Sequence, residues 1–118
     1  DLRRDMESST LIVGPGAAVV GGAIDLTPVR TAIRKERKLA IAYRDKEGAS
    51  TERTIWPFAL GFFDHARVVV AWCELRDDFR QFRVDRIDRL QPTEIRMPRR
   101  RAELFKAWRA VDRIPLDR

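Results

Sequence analysis

The run Arg67-Val68-Val69-Val70-Ala71-Trp72-Cys73 is apolar on both faces of any strand it could form. Side chains of a strand point alternately to opposite sides. This segment therefore reads as the most buried strand of a sheet. Its neighbours in the chain show the other pattern, apolar on one side only. Leu39, Ile41 and Tyr43 alternate with Ala40, Ala42 and Arg44, as a half-buried strand requires. Residues 51–62 form a second extended run with Pro57 inside it, which predicts an edge position or a bend there. Arg80-Gln81-Phe82-Arg83-Val84 is a fourth strand, and 87–95 a fifth that is short or bent. Turns fall at Lys46-Glu47-Gly48, at Asp64-His65-Ala66 and at Arg76-Asp77-Asp78, with Gly48 able to supply a positive φ.

Helical patterns flank these strands. From Pro28 to about Lys38, Val29, Ala32 and Ile33 share one face and cations line the other. Thr27 stands where a cap is expected, and Pro28 suits the first helical position. A second helix is expected from Pro98, with Leu104, Phe105, Trp108 and Val111 on its apolar stripe. Arg99, Arg100 and Arg101 precede that stripe, where cations oppose the helix dipole. The expected fold is mainly β (α+β), a small barrel of about five antiparallel strands between two helices, closure hiding the sheet edges. Residues 1–25, with their glycine clusters, read as a flexible lead-in or linker in which Thr10–Val13 or Ala17–Val20 could add an edge strand. Residues 26–96 form the barrel, and 97–118 the C-terminal helix and tail. The chain opens at Asp1, and a fragment with a further domain upstream is expected.

Charge narrows the partner. Among 118 residues, 24 are Lys or Arg and 18 Asp or Glu, a net charge of +6. Arginine dominates, and its planar fork fits phosphate and carboxylate edges. Many arginines adjoin acids, as in Asp85-Arg86-Ile87-Asp88, so a self-neutralising surface is the competing reading, with Arg86 as a structural ion pair. Catalysis finds little support. His65 is the only histidine and sits in a turn, Cys73 the only cysteine and sits in an apolar run, which leaves no triad and no metal set. Carboxylates with arginines beside them stay ionised and make poor general acids. The chain is read as a non-enzyme with no metal and no cofactor. A single cysteine and the lack of a continuous apolar block suit a cytoplasmic protein outside the membrane.

Anion binding has better candidates. Alternation puts Arg80, Phe82 and Val84 on one face of their strand, the likelier core face, and Arg83 on the other. Tyr43 and Arg53 lie on the two preceding strands, and Arg67 opens the third. Guanidinium groups with one phenol would make a phosphate and base-stacking site. Tyr43 fits a core edge equally well, and Phe82, Trp56 and Trp72 fit a core better than a site. Arg99, Arg100 and Arg101 are weaker candidates for nucleic-acid phosphate contacts, the alternative being a solvated patch.

Several blocks in order resemble the WYL domain of bacterial helix-turn-helix (DeoR/YafY-like) transcription regulators. They are the basic helix end Arg34-Lys35-Glu36-Arg37-Lys38, the strand Ile41-Ala42-Tyr43-Arg44, then Arg53-Thr54-Ile55-Trp56-Pro57-Phe58-Ala59-Leu60. Val70-Ala71-Trp72-Cys73-Glu74-Leu75-Arg76 follows, and last Phe79-Arg80-Gln81-Phe82-Arg83-Val84-Asp85-Arg86-Ile87. The resemblance covers about 27–95. It departs at the Trp-Tyr-Leu triplet itself, which falls at Arg67-Val68-Val69 and leaves no aromatic surface there. The resemblance implies an Sm-like, SH3-type barrel in a regulator that is often dimeric, with a helix-turn-helix domain preceding it. It implies a ligand sensor, with single-stranded DNA or a nucleotide-like molecule as ligand. Two other functions stay open: a dimerisation or protein-interaction domain without ligand, and a constitutive Sm-like nucleic-acid-binding module.

Overall fold

In a computed structural model, residues 25–63 and 65–111 are described. The expected lead-in, Asp64 of the second turn, and the tail from Asp112 lie outside them. Helix α1 (Thr27–Lys35) is followed by strands β1 (Arg37–Arg44), β2 (Ser50–Phe63), β3 (Ala66–Cys73) and β4 (Asp78–Arg83). A 3₁₀ turn (Val84–Arg86), strand β5 (Ile87–Arg96) and helix α2 (Arg101–Arg109) complete the order. The strands form one antiparallel sheet in the order β4-β3-β2-β1-β5.

The five antiparallel strands and two flanking helices match the sequence reading. Closure does not, since β4 pairs with β3 and β5 with β1, and the sheet is open. It is nevertheless strongly curled. Consecutive strands β4 and β5 occupy opposite edges, which a flat sheet would hold about 19 Å apart at ~4.8 Å per strand. Three 3₁₀ residues advance only about 6 Å. The edges must therefore swing toward each other, leaving a seam at the Val84–Arg86 turn where a closed barrel would have a ladder.

Both faces of β3 are covered, as its composition demands. Val69, Ala71 and Cys73 join Leu39, Ile41, Tyr43, Ile55, Leu60 and Phe82 in a concave core, roofed by Leu26, Val29, Ala32 and Ile33 around α1. Val68 and Val70 join Phe58 and Phe79 on the convex side under Leu104 and Phe105 of α2. The Pro57 prediction is met by a bend. β1 pairs with β2 only as far as Leu39↔Ile55, and the β2–β3 register shifts between Pro57 and Ala59. The missing N–H thus falls past the end of one neighbour and at an irregularity with the other. The extra residue also returns Leu60 to the concave face that Ile55 occupies, five positions earlier.

The helices are shorter than their apolar patterns suggest. α1 ends at Lys35 because Glu36 adopts a left-handed conformation, φ 58° and ψ 49°. Its start is fixed by Asp25, whose Oδ1 accepts the Thr27 backbone N–H at 3.0 Å and the Thr27 hydroxyl at 2.8 Å. Thr27 is thus the first helical residue and not the cap, a position that Leu26 occupies without a capping side chain. α2 begins at Arg101, three residues after Pro98. Its N-terminal cations are accommodated by Glu36, whose Oε1 accepts the Arg101 backbone N–H and the Arg100 Nε, both at 2.9 Å.

Candidate anion-binding site

Register fixes the face of each candidate, because cross-strand neighbours share one. Tyr43 is fully buried on the concave face, with its ring edge-on to Phe82 at 5.1 Å. Its hydroxyl accepts the Arg83 backbone N–H at 3.0 Å. Arg53 stands opposite Ile41 and is only 4% exposed. Its Nε donates to Thr51 Oγ1 at 3.0 Å, Nη1 lies 3.6 Å from Cys73 Sγ, and Cζ sits 6.0 Å from the Phe82 ring centre. Tyr43, Arg53 and Phe82 therefore meet, but inside the core.

Arg80 and Arg83 are held by neighbouring acids. Arg80 shares the concave face with Phe82, and its Nη1 donates to Asp78 Oδ2 at 3.0 Å and to the Phe79 carbonyl at 2.7 Å. Arg83 lies on the opposite face of β4, across from Val68. Its Nε and Nη2 grip both oxygens of Asp85 at 3.1 and 2.8 Å. Hydrogen bonding to that carboxylate pushes the Arg83 pKa up and the Asp85 pKa down. The Arg80 hydrogen bond, followed by the Phe79 N–H, holds Asp78 below its ordinary value. Of the weaker phosphate candidates, Arg100 is paired with Glu36, and Arg101 donates its Nε to the Phe58 carbonyl at 3.0 Å. Arg99 is half-buried and has no ion pair among the described residues.

Arg67 differs from all of these. It is the second residue of β3, directly across from Phe62, which is 54% exposed. Its Nη1 is buried and has no hydrogen-bond partner among the described residues. The same is true of Arg86 Nη1, in the 3₁₀ turn that packs against β3. Sequence reasoning missed Arg86 by assigning it to the flanking acids. Asp85 is taken by Arg83 and Asp88 by Arg44, whose Nε lies 2.8 Å from Asp88 Oδ1. No local signal announces that Arg44, 44 residues away in sequence, claims Asp88. Buried guanidinium nitrogens without acceptors are uncommon and call for an explanation. Arg67 precedes Val68, which pairs with Arg83 just before the turn that holds Arg86, so the register brings both arginines to the β3 side of the seam.

The model of the WYL domain matches residues 25–92. The chain belongs to the WYL domain family. Among solved structures, the proteasome accessory factor B/C (PafBC) of Arthrobacter aurescens is similar, at 24% identity with a TM-score of 0.58. The match covers 85% of this chain and 16% of that one, so this chain spans about a sixth of the length of its structural neighbour. At that identity the likeness is one of fold. Comparison with curated proteins gives no match.

His65 sits in the β2–β3 turn at φ 63°, and Cys73 is buried. Among the described residues there is no group of His, Cys, Asp or Glu that could hold a metal ion. None of their helices is long and apolar enough to cross a membrane.

Proposed function

We propose that this WYL domain is the ligand-sensing part of a bacterial transcription regulator, and that it recognises the phosphate of a single-stranded DNA or nucleotide at the β3 seam. The orphaned Nη1 atoms of Arg67 and Arg86 carry this reading, since a phosphate oxygen is the acceptor that two buried guanidinium donors lack. Phe62, exposed beside Arg67, offers a ring face for a base, worth about 1–3 kcal/mol by stacking. Arg80 and Arg83 then act as structural cations, already neutralised by Asp78 and Asp85. The domain works by binding and not by catalysis. A ligand that bridges β3 and the turn favours whichever conformation brings them together, and so shifts an attached helix-turn-helix DNA-binding domain between states.

Fluorescence anisotropy with a labelled short single-stranded DNA, and calorimetry with a nucleotide, test this. Arg67→Ala and Arg86→Ala should each weaken binding about tenfold or more. Phe62→Ala should weaken the oligonucleotide more than inorganic phosphate, and Arg83→Ala should change little. Affinity should fall steeply with salt, with each seam substitution flattening the slope. Equal, small losses from all four substitutions would mean diffuse charge and no site.

A further inference from the structure

On the other side of the domain, a cleft of about 350 Å³ runs between α1 and β5. Two cations line it, Lys35 in the last turn of α1 and Arg37 at the start of β1. Neither has an ion pair among the described residues, whereas Lys38, Arg44, Arg80, Arg83, Arg89 and Arg100 each hold a carboxylate. Arg37 also stands directly opposite Arg96 in the β1–β5 ladder. Like charges in that position repel; Glu36 offsets part of this from the Arg96 side, and a bound anion would relieve the rest. Two cations on one cleft with no ion pair among the described residues suit a doubly charged group better than a carboxylate.

The remaining lining says what else the ligand carries. Asp25 and Glu94 contribute carboxylates, which repel further negative charge and accept hydrogen bonds from hydroxyls. Thr31 adds a hydroxyl, and Pro28, Ala32 and Pro92 give apolar walls. The volume lies at the low end of the range for small-molecule sites, with room for a metabolite and none for a polymer. We propose that this cleft binds a small hydroxylated phosphate ester, its phosphate held by Lys35 and Arg37 and its hydroxyls donating to Asp25 and Glu94. This site is separate from the β3 seam and stands without it.

Isothermal titration of the whole chain tests it, with ribose 5-phosphate and adenosine 5′-monophosphate as probes. Inorganic phosphate and ribose serve as controls. At least one ester should bind about tenfold tighter than inorganic phosphate. Binding of ribose 5-phosphate alone identifies a sugar phosphate, and nucleotide binding that is tighter in an Arg67→Ala background, where the seam is disabled, identifies a nucleoside phosphate. Lys35→Glu, at an exposed position, should abolish ester binding, and Glu94→Gln should weaken the ester relative to inorganic phosphate, which loses a repelling carboxylate and no hydrogen bond. Arg67→Ala should leave the affinity for ribose 5-phosphate as it was, which separates this site from the seam. The proposal is overturned if neither ester binds, if inorganic phosphate matches them, or if Lys35→Glu binds like the wild type.

Discussion

Glu36 joins both ends of the domain, and replacing it probes that junction directly. Its left-handed backbone, φ 58°, stops α1. Its carbonyl accepts the Met97 N–H at 2.9 Å, and its carboxylate accepts the Arg101 N–H that opens α2. That N–H is one of the donors a helix leaves unsatisfied at its start. Losing a side-chain cap costs about 1 kcal/mol, and the charge at the N-terminus adds up to about 1 kcal/mol. The Arg100 contact contributes little, because that side chain is 71% exposed. Glu36→Ala should therefore destabilise the domain by about 2 kcal/mol. Glu36→Gly loses the same carboxylate but relieves the left-handed conformation, recovering about 1 kcal/mol. Urea unfolding at pH 7 measures both, and each kcal/mol should also appear as roughly 4–8 °C in Tm. Hydrogen bonds from Arg101 and Arg100 hold the Glu36 carboxyl below its ordinary value of 4.5. A depressed carboxylate stabilises fully above its unfolded pKa and loses that contribution as pH falls through the folded one. The gap between wild type and Glu36→Gln should thus be constant above about pH 5.5 and shrink below about pH 4. The reasoning fails if Glu36→Gly is no more stable than Glu36→Ala, or if the Gln variant matches wild type at pH 7.

Tyr43→Phe removes the acceptor for the Arg83 N–H and leaves that donor in a half-buried place, which should cost about 1–2 kcal/mol in urea unfolding. Unchanged stability would show that water replaces the phenol. Gly48 has φ 90°, and a Cβ there would meet no atom within 4 Å. Gly48→Ala should therefore cost only the backbone term, about 1 kcal/mol. A much larger loss by thermal melt would mean the turn is packed more tightly than its geometry allows.

Periodicity exposed much of this arrangement. The doubly apolar composition of β3 foretold a layer on each side, and alternation placed Arg80 and Phe82 together with Arg83 opposite. Pro57 announced a bend in β2. Tertiary contacts decided the rest. A left-handed glutamate after Lys35 breaks no local rule visible in sequence, because its partner Arg101 lies 65 residues away. The same holds for the arginines. Asp85 satisfies a neighbour two residues back, but Arg44 reaches Asp88 and Arg89 reaches Glu52 only once β5 and β2 lie on either side of β1. Barrel closure was inferred from the need to hide edges, whereas the short turn between β4 and β5 curls the sheet without completing the ladder.

The departure from Trp-Tyr-Leu gains a physical meaning in this geometry. Val68 and Val69 are 2% and 0% exposed, so the second and third positions of the triplet keep their core role with β-branched side chains that suit a strand. The first position is different, because it lies near the start of β3, beside the seam. An aromatic residue there would present a ring face but no charge. Arg67 presents donors instead, and the ring face is available from Phe62 directly across the β2–β3 ladder. On the reading proposed above, the two requirements of nucleotide recognition, a flat apolar surface and a cation for phosphate, are divided between adjacent strands and do not compete for one position. The same reading accounts for the Arg67 Nη1 that has no acceptor among the described residues. Arg80, Arg83 and Arg101 each find a carbonyl or a carboxylate within the domain. An arginine that awaits a ligand has its acceptor supplied from outside.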